Sequence, residues 1–161
     1  MTGALSFTID AVQSAADLAD AIRLFRAYAE SLPVDLAYQG FEAEMAAMPG
    51  KYAPPKGMLL LAKDAAGRAV GCGALRPIEP DGTCEMKRLY VTADGRGLGL
   101  GKRLVERLFD EARRIGYREM RLDTLSSMTD AIALYRRFGF EPMAAYYDTP
   151  VEDTVFMRKA L

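Results

Sequence analysis

The spacing of apolar residues changes repeatedly along the chain, and each change predicts an element. Ser6 to Val12 reads as a first strand. Ser14-Ala15-Ala16-Asp17 then has the spacing at which side chains satisfy the free amides of a helix start, and Leu18, Ala21, Ile22, Phe25 and Ala29 follow along one helical stripe. Pro33 ends that helix. Gln39 to Met48 reads as a shorter second helix before Pro49-Gly50 and Pro54-Pro55, and Val34 to Gly57 is the least regular stretch.

Met58 to Lys63 and Arg68 to Arg76 read as strands joined at Asp64-Ala65-Ala66-Gly67, and Pro80-Asp81-Gly82 turns the chain into a third strand, Thr83 to Thr92. This is an antiparallel meander. With the second turn centred on Asp81 and Gly82, Cys84 lies near Glu79 and Cys72 near Val91, so the two cysteines are not cross-strand partners. Within the third strand Met86, Leu89 and Val91 break the period of two, which predicts a bulge near Lys87 or Arg88 that re-aims its neighbours.

Leu100, Leu104, Val105, Leu108, Phe109, Ala112 and Ile115 form a long apolar helical stripe closed by Gly116. Arg118 to Thr124 returns as a strand. Ser127-Met128-Thr129-Asp130 has the spacing of a capping box, Ala131, Ile132, Leu134, Tyr135 and Phe138 continue as a helix, and Gly139 stops it. Phe140 and Asp153 to Arg158 supply closing strands. A strand–helix–strand unit inside a run of hairpins predicts an α/β (α+β mixed) fold: one domain over 1–161, with a mixed, mostly antiparallel twisted sheet of six to seven strands and about four helices on its two faces.

Composition narrows the chemistry. The 161 residues are 50% hydrophobic and 27% charged, the balance of a globular domain that buries roughly 70% of its unfolded surface. Lys and Arg number 21 against 22 Asp and Glu, so no global positive field recruits nucleic acid. No apolar run is long enough to span a bilayer, and a cytoplasmic location without membrane partners is expected. Two cysteines are too few for a disulfide framework or a four-cysteine zinc site. The absence of histidine removes Ser-His-Asp and Cys-His catalysis and imidazole metal ligation, so no metal is expected and proton transfer falls to carboxylates, Tyr, Lys, Cys or water.

Between the third strand and the long helix stands Arg96-Gly97-Leu98-Gly99-Leu100-Gly101. At such a junction unpaired amides and the positive end of the helix dipole coincide, and glycines let a ligand approach the backbone, so a diphosphate is the expected guest. A mononucleotide P-loop ending at Gly101-Lys102 requires Gly at Arg96 and Ser or Thr at Arg103. A dinucleotide fingerprint requires a small residue at Lys102. Both fail. The pattern that fits is R-x-x-G-x-G, and with Cys84-Glu-Met-Lys-Arg-Leu-Tyr-Val91 before it and Ala131-Ile-Ala-Leu-Tyr-Arg-Arg-Phe-Gly-Phe140 after it the chain resembles the GNAT superfamily of N-acetyltransferases over about Met58 to Phe140.

The resemblance implies a GNAT-like fold and acetyl transfer from acetyl-coenzyme A, as cosubstrate, to a primary amine by direct attack. The amides of Arg96, Gly97, Leu98, Gly99, Leu100, Gly101 and Lys102 would hold the pyrophosphate, and the backbone of Leu89, Tyr90 and Val91 would pair with the pantetheine arm and supply the oxyanion donor. Glu85 takes the position of the base, acting directly or through water, with Glu79 in reserve. Tyr135 takes that of the acid to the departing thiolate. Lys102 and Arg103 also lie within reach of a further phosphate of the cofactor. Met128 stands where many members carry Asn, leaving that contact absent or taken by Ser126 or Ser127.

The resemblance places the acceptor, a small-molecule or peptide amine, among Val34 to Gly57 and Pro142 to Glu152. There Tyr38, Phe41 and Tyr146 are candidate walls, along with Tyr52 and Tyr147, and Asp35, Glu42, Glu44 and Asp148 are candidate counter-charges. Glu85 and Tyr135 argue against the alternative, a non-catalytic acyl-coenzyme A sensor or partner module. Oligomeric state stays open, a homodimer included.

Overall fold

The computed structural model describes residues 6–161. In chain order it contains β1 (Thr8–Ala11), α1 (Ala15–Ser31), a 3-10 turn (Leu36–Gln39), α2 (Phe41–Ala47), a second 3-10 turn (Gly50–Tyr52), β2 (Met58–Lys63), β3 (Ala69–Ile78), β4 (Thr83–Val91), a third 3-10 turn (Ala93–Gly95), α3 (Leu100–Ile115), β5 (Glu119–Leu125), α4 (Thr129–Arg137), β6 (Glu141–Met143) and β7 (Thr154–Ala160). The strands form a seven-stranded sheet in the order β1-β2-β3-β4-β5-β7-β6. Every neighbouring pair is antiparallel except β4 with β5, so the expected mixed, mostly antiparallel sheet is what the chain builds.

Alternation along β2 divides the core in two. Leu60 and Ala62 join Leu104, Val105 and Leu108 of α3 on one face, whereas Leu59 and Leu61 join Leu24 and Phe25 of α1 on the other. Each fully buried leucine contributes roughly 2 kcal/mol. Ser14 caps α1, its Oγ accepting from the Asp17 amide at 3.1 Å. Gly116, at φ 109°, closes α3 by donating to Ala112 and Arg113.

Three local expectations are corrected. The helix expected over Gln39 to Met48 is split by Gly40, whose φ of 70° ends the first 3-10 turn and starts α2 at Phe41. The capping box at Ser127 is absent: Met128 occupies the cap position of α4 with no side-chain bond, because Ser127 is held in a turn closed by the Met128 amide on Leu125 O at 2.9 Å. The β3–β4 register differs too. Cys84 faces Pro77 and Cys72 faces Tyr90, since the connection takes four residues, Glu79 to Gly82, closed by Thr83 N donating to Pro80 O. Both cysteines are free.

Two irregularities shape the middle of the sheet. The register between β3 and β4 slips between Cys72 and Ala74, leaving Arg88 and Leu89 opposite Gly73, and Arg88 takes a φ of 60°. This is the bulge foreseen near Lys87 or Arg88. The parallel pairing of β4 with β5 covers only Thr83–Glu85 with Glu119–Arg121. Beyond that the two strands part, and from Met86 to Val91 β4 is hydrogen-bonded on its β3 side alone.

Candidate active site

The glycine run forms an amide cradle. Gly97 and Gly99 adopt φ of 80° and 70°, a region other residues enter only with strain, and Gly99 opens α3 without any side-chain cap. Among the described residues, no well-aligned backbone hydrogen bond is made by the amides from Gly97 to Lys102, which lie in a turn and the first residues of α3; the next donor, Arg103 N, reaches Gly99 O at 3.2 Å. These N–H groups stand at the positive end of a sixteen-residue helix, where anions are attracted. Leu100 is buried in the core, whereas Arg96 and Lys102 are exposed, with Arg96 Nε reaching Val91 O at 3.4 Å. Nothing lies within 4 Å of where a Cβ would stand on Gly97 or Gly99, so the backbone there is open to a ligand.

Beside the cradle a cleft of about 460 Å³ runs along the β4 edge that β5 leaves unpaired. Leu89, Tyr90, Val91, Arg96 and Gly101 line one side, and Ser127 to Ala131 with Leu134 line the other. Met128 faces this cleft, and its Sδ accepts from Thr124 Oγ1 at 3.6 Å, so the position where the family often has Asn is apolar here. A second, narrower cavity of about 90 Å³ adjoins the cleft and shares Tyr28, Leu89, Met128 and Ala131 with it. Tyr135 lines this inner cavity, its ring edge-on to Phe140 at 5.8 Å between centroids. Burial holds its hydroxyl well above the ordinary tyrosine range, with Tyr28 and Asp123 adding to the effect.

The bulge sends Lys87 and Arg88 toward the same face of the sheet, where a buried charged network surrounds the inner cavity. Glu85 is 1% exposed with both oxygens engaged: Oε1 by Arg76 Nε and Nη2, each at 2.9 Å, and Oε2 by the Tyr146 hydroxyl at 2.5 Å. It does not line the cavity. Asp123 does. Its carboxylate accepts from the Tyr147 hydroxyl at 2.5 Å and from Gln39 Nε2 at 3.4 Å, and lies 3.6 Å from Lys87 Nζ. Arg88 binds Glu44 at 3.1 and 3.2 Å. Gln39 joins the two halves, accepting from Lys87 at 3.3 Å and Arg88 at 3.0 Å while donating to Tyr38 and Asp123.

Arg76, Lys87 and Arg88 thus balance Glu44, Glu85 and Asp123. Deleting one member of such a buried set leaves an uncompensated charge, at a cost of roughly 3 kcal/mol or more. Burial pushes the Lys87 ammonium below the ordinary lysine range even though Asp123 and Glu85 oppose the shift. Burial also raises the Tyr146 and Tyr147 hydroxyls, the carboxylates beside them adding to it.

Of the aromatic walls expected for an acceptor, Tyr38 lines the inner cavity. Phe41 does not: it is a core residue beneath the Arg88 guanidinium, 5.2 Å from its ring centre. Tyr146 serves Glu85, and Tyr52 packs edge-on against Phe25. Glu79 is exposed in the β3–β4 turn, away from both cavities. Asp123, Lys87, Gln39 and Tyr28 were not foreseen at the site. For Asp123 the available signal was its alternation with Leu122 and Met120, which turn to the α3 face.

Residues 19–140 match the model of the acetyltransferase (GNAT) family. An uncharacterized N-acetyltransferase of Schizosaccharomyces pombe is 40% identical over 153 residues, covering 95% of this chain and 94% of that protein. A candidate acyl-CoA N-acyltransferase of Klebsiella pneumoniae superposes with a TM-score of 0.73 at 30% identity, covering 96% of this chain and 97% of the other. The structure of yncA from Salmonella typhimurium, solved with its cofactor acetyl-CoA, has a TM-score of 0.69 at 24% identity over 96% of this chain and 94% of its own. Fold, amide cradle and sequence agree, and the chain belongs to the acetyltransferase (GNAT) family of acetyl-CoA-dependent acyltransferases.

Proposed function

We propose that the protein acetylates the primary amine of a small acceptor, with the amides of Gly97 to Lys102 gripping the diphosphate of acetyl-CoA and the free edge of β4 at Leu89 to Val91 receiving its arm. The observation that carries this reading is continuity: the amide run borders, at Gly101, a cleft along an unpaired strand, and that cleft adjoins the inner cavity lined by Tyr135 and Asp123. The acetyl-CoA bound to yncA supports the identity of the donor. Bound acetyl-CoA supplies the acetyl group as a thioester, whose C–S bond breaks as the C–N bond forms.

The chain's own groups manage the protons. An amine reacts only as its free base, and its nitrogen sheds a further proton once acylated. Glu85 occupies the strand position expected of a base, yet Asp123 is the carboxylate facing the cavity, so proton removal is assigned to Asp123, with Glu85 fixing Lys87 behind it. The Tyr135 hydroxyl, kept protonated by burial, delivers a proton to the departing sulfur. A backbone amide of β4 near Leu89 supports the oxyanion.

The test is thiol release from acetyl-CoA with a panel of primary amines, followed across pH. Asp123→Asn is expected to lower kcat about 100-fold and abolish the acidic limb of the profile, whereas Glu85→Gln keeps that limb. The reverse result returns the role to Glu85. Coenzyme binding without release for any amine favours the non-catalytic sensor instead.

A further inference from the structure

Lys87 is a cation with spare donors inside the inner cavity. Its ammonium has three N–H groups. One reaches Gln39 Oε1 at 3.3 Å, while the two nearby carboxylates stay at 3.6 Å (Asp123) and 3.9 Å (Glu85), beyond good hydrogen-bond distance. The side chain is only 5% exposed, and it lines the cavity. Arg88, by contrast, is committed to both oxygens of Glu44 and to Gln39. A buried ammonium with donors unfilled is costly, and an acceptor oxygen arriving in the cavity relieves that cost.

Charge points the same way. The three cations and three anions of the network already cancel, so a guest with no net charge preserves the balance, a simple ammonium adds one positive charge, and a diamine adds two. One wall of the cavity is apolar, formed by Leu32, Val34, Leu36 and Leu125.

We infer that the acceptor is an α-amino acid with an apolar side chain, its ammonium beside Asp123, its carboxylate on Lys87 and its side chain against the leucine and valine wall. This rests on the acetyl-transfer reading above and makes Lys87 a specificity-determining residue for it. A peptide amino terminus offers an uncharged carbonyl where the carboxylate would sit. A polyamine offers a second cation.

The experiment compares kcat/KM, by thiol release, for alanine, valine, leucine and methionine with that for the corresponding amino acid amides and decarboxylated amines, and for 1,4-diaminobutane. The wild-type protein is expected to favour at least one amino acid over its amide and its amine by about tenfold or more, and Lys87→Met to shrink that ratio by about tenfold. Preference for the amides, the amines or the diamine overturns the inference while leaving acetyl transfer intact, as does an unchanged ratio in the variant. No thiol release from any compound by protein that binds coenzyme A sinks the acetyl-transfer reading itself.

Should Lys87→Met fail to fold, the wild-type protein answers through inhibition. The expected result is that 4-methylpentanoate competes with leucine at least tenfold better than 4-methylpentanamide, and equal competition overturns the carboxylate role.

Discussion

The Tyr147 hydroxyl donates to the Asp123 carboxylate at 2.5 Å, and so ties the β6–β7 connection to an acidic side chain that lines the inner cavity. The hydroxyl also fixes where that carboxylate points. Tyr147→Phe is expected to lower kcat about tenfold with little effect on the affinity for coenzyme A. An unchanged kcat detaches Tyr147 from the chemistry.

Tyr135 concerns the other end of the reaction. Because burial holds its hydroxyl above the ordinary tyrosine range, it stays protonated throughout neutral and mildly alkaline pH. Tyr135→Phe is expected to lower kcat about 100-fold while leaving the melting temperature within a few degrees. Full activity in folded variant protein excludes the acid role.

Gly101 separates binding from folding. A Cβ there would meet only Leu134 Cδ2, at 3.8 Å, and the residue lies in helical conformation at the start of α3. Gly101→Ala should therefore be neutral or stabilising, by up to about 1 kcal/mol, because glycine is the poorer helix former. The same methyl faces the cleft, so calorimetry is expected to show about tenfold weaker coenzyme A binding. Unchanged affinity would mean that the ligand does not approach this amide closely.

Acid stability offers a test remote from the site. Burial alone would raise the Glu111 carboxyl, but hydrogen bonds and charge from Arg114 and Arg107 outweigh it and leave it below the usual glutamate range. A depressed carboxyl stabilises the fold above the unfolded value of 4.5, and that contribution fades as pH falls through the lower folded value. Glu111→Gln is expected to melt roughly 2 °C lower than wild type at pH 7, with the difference vanishing by about pH 3. A difference that persists in acid would attribute the loss to packing.

The readable parts of the sequence are those fixed by neighbours along the chain. The stripe from Leu100 to Ile115, its Gly116 stop and the cradle at Gly97 and Gly99 need only local spacing, and the structure has α3 at those bounds. Glu85 was found as a position but not as an environment. Its partner Arg76 lies directly across the β3–β4 hairpin, and a turn centred on Asp81 and Gly82 would have slid that pairing by two residues. For Asp123 alternation gave the face of the sheet but not the role, because its importance comes from the parting of β4 and β5, a relation between segments that meet only in the folded sheet. The capping box at Ser127 shows the opposite hazard: correct spacing, with the backbone already committed to a turn.

The gap between β4 and β5 also bears on how the protein behaves in company. A row of unsatisfied main-chain groups on a strand normally invites another polypeptide to add on, which is the first step toward aggregation. Here the bare row lies at the floor of a slot flanked by Tyr28 and Ser31 on one rim and by the start of α4 on the other. The row is therefore offered at the bottom of a groove and not along an outer border of the sheet. On the acetyl-transfer reading proposed above, the amide-bearing arm of the coenzyme takes up main-chain groups that the sheet itself leaves without partners.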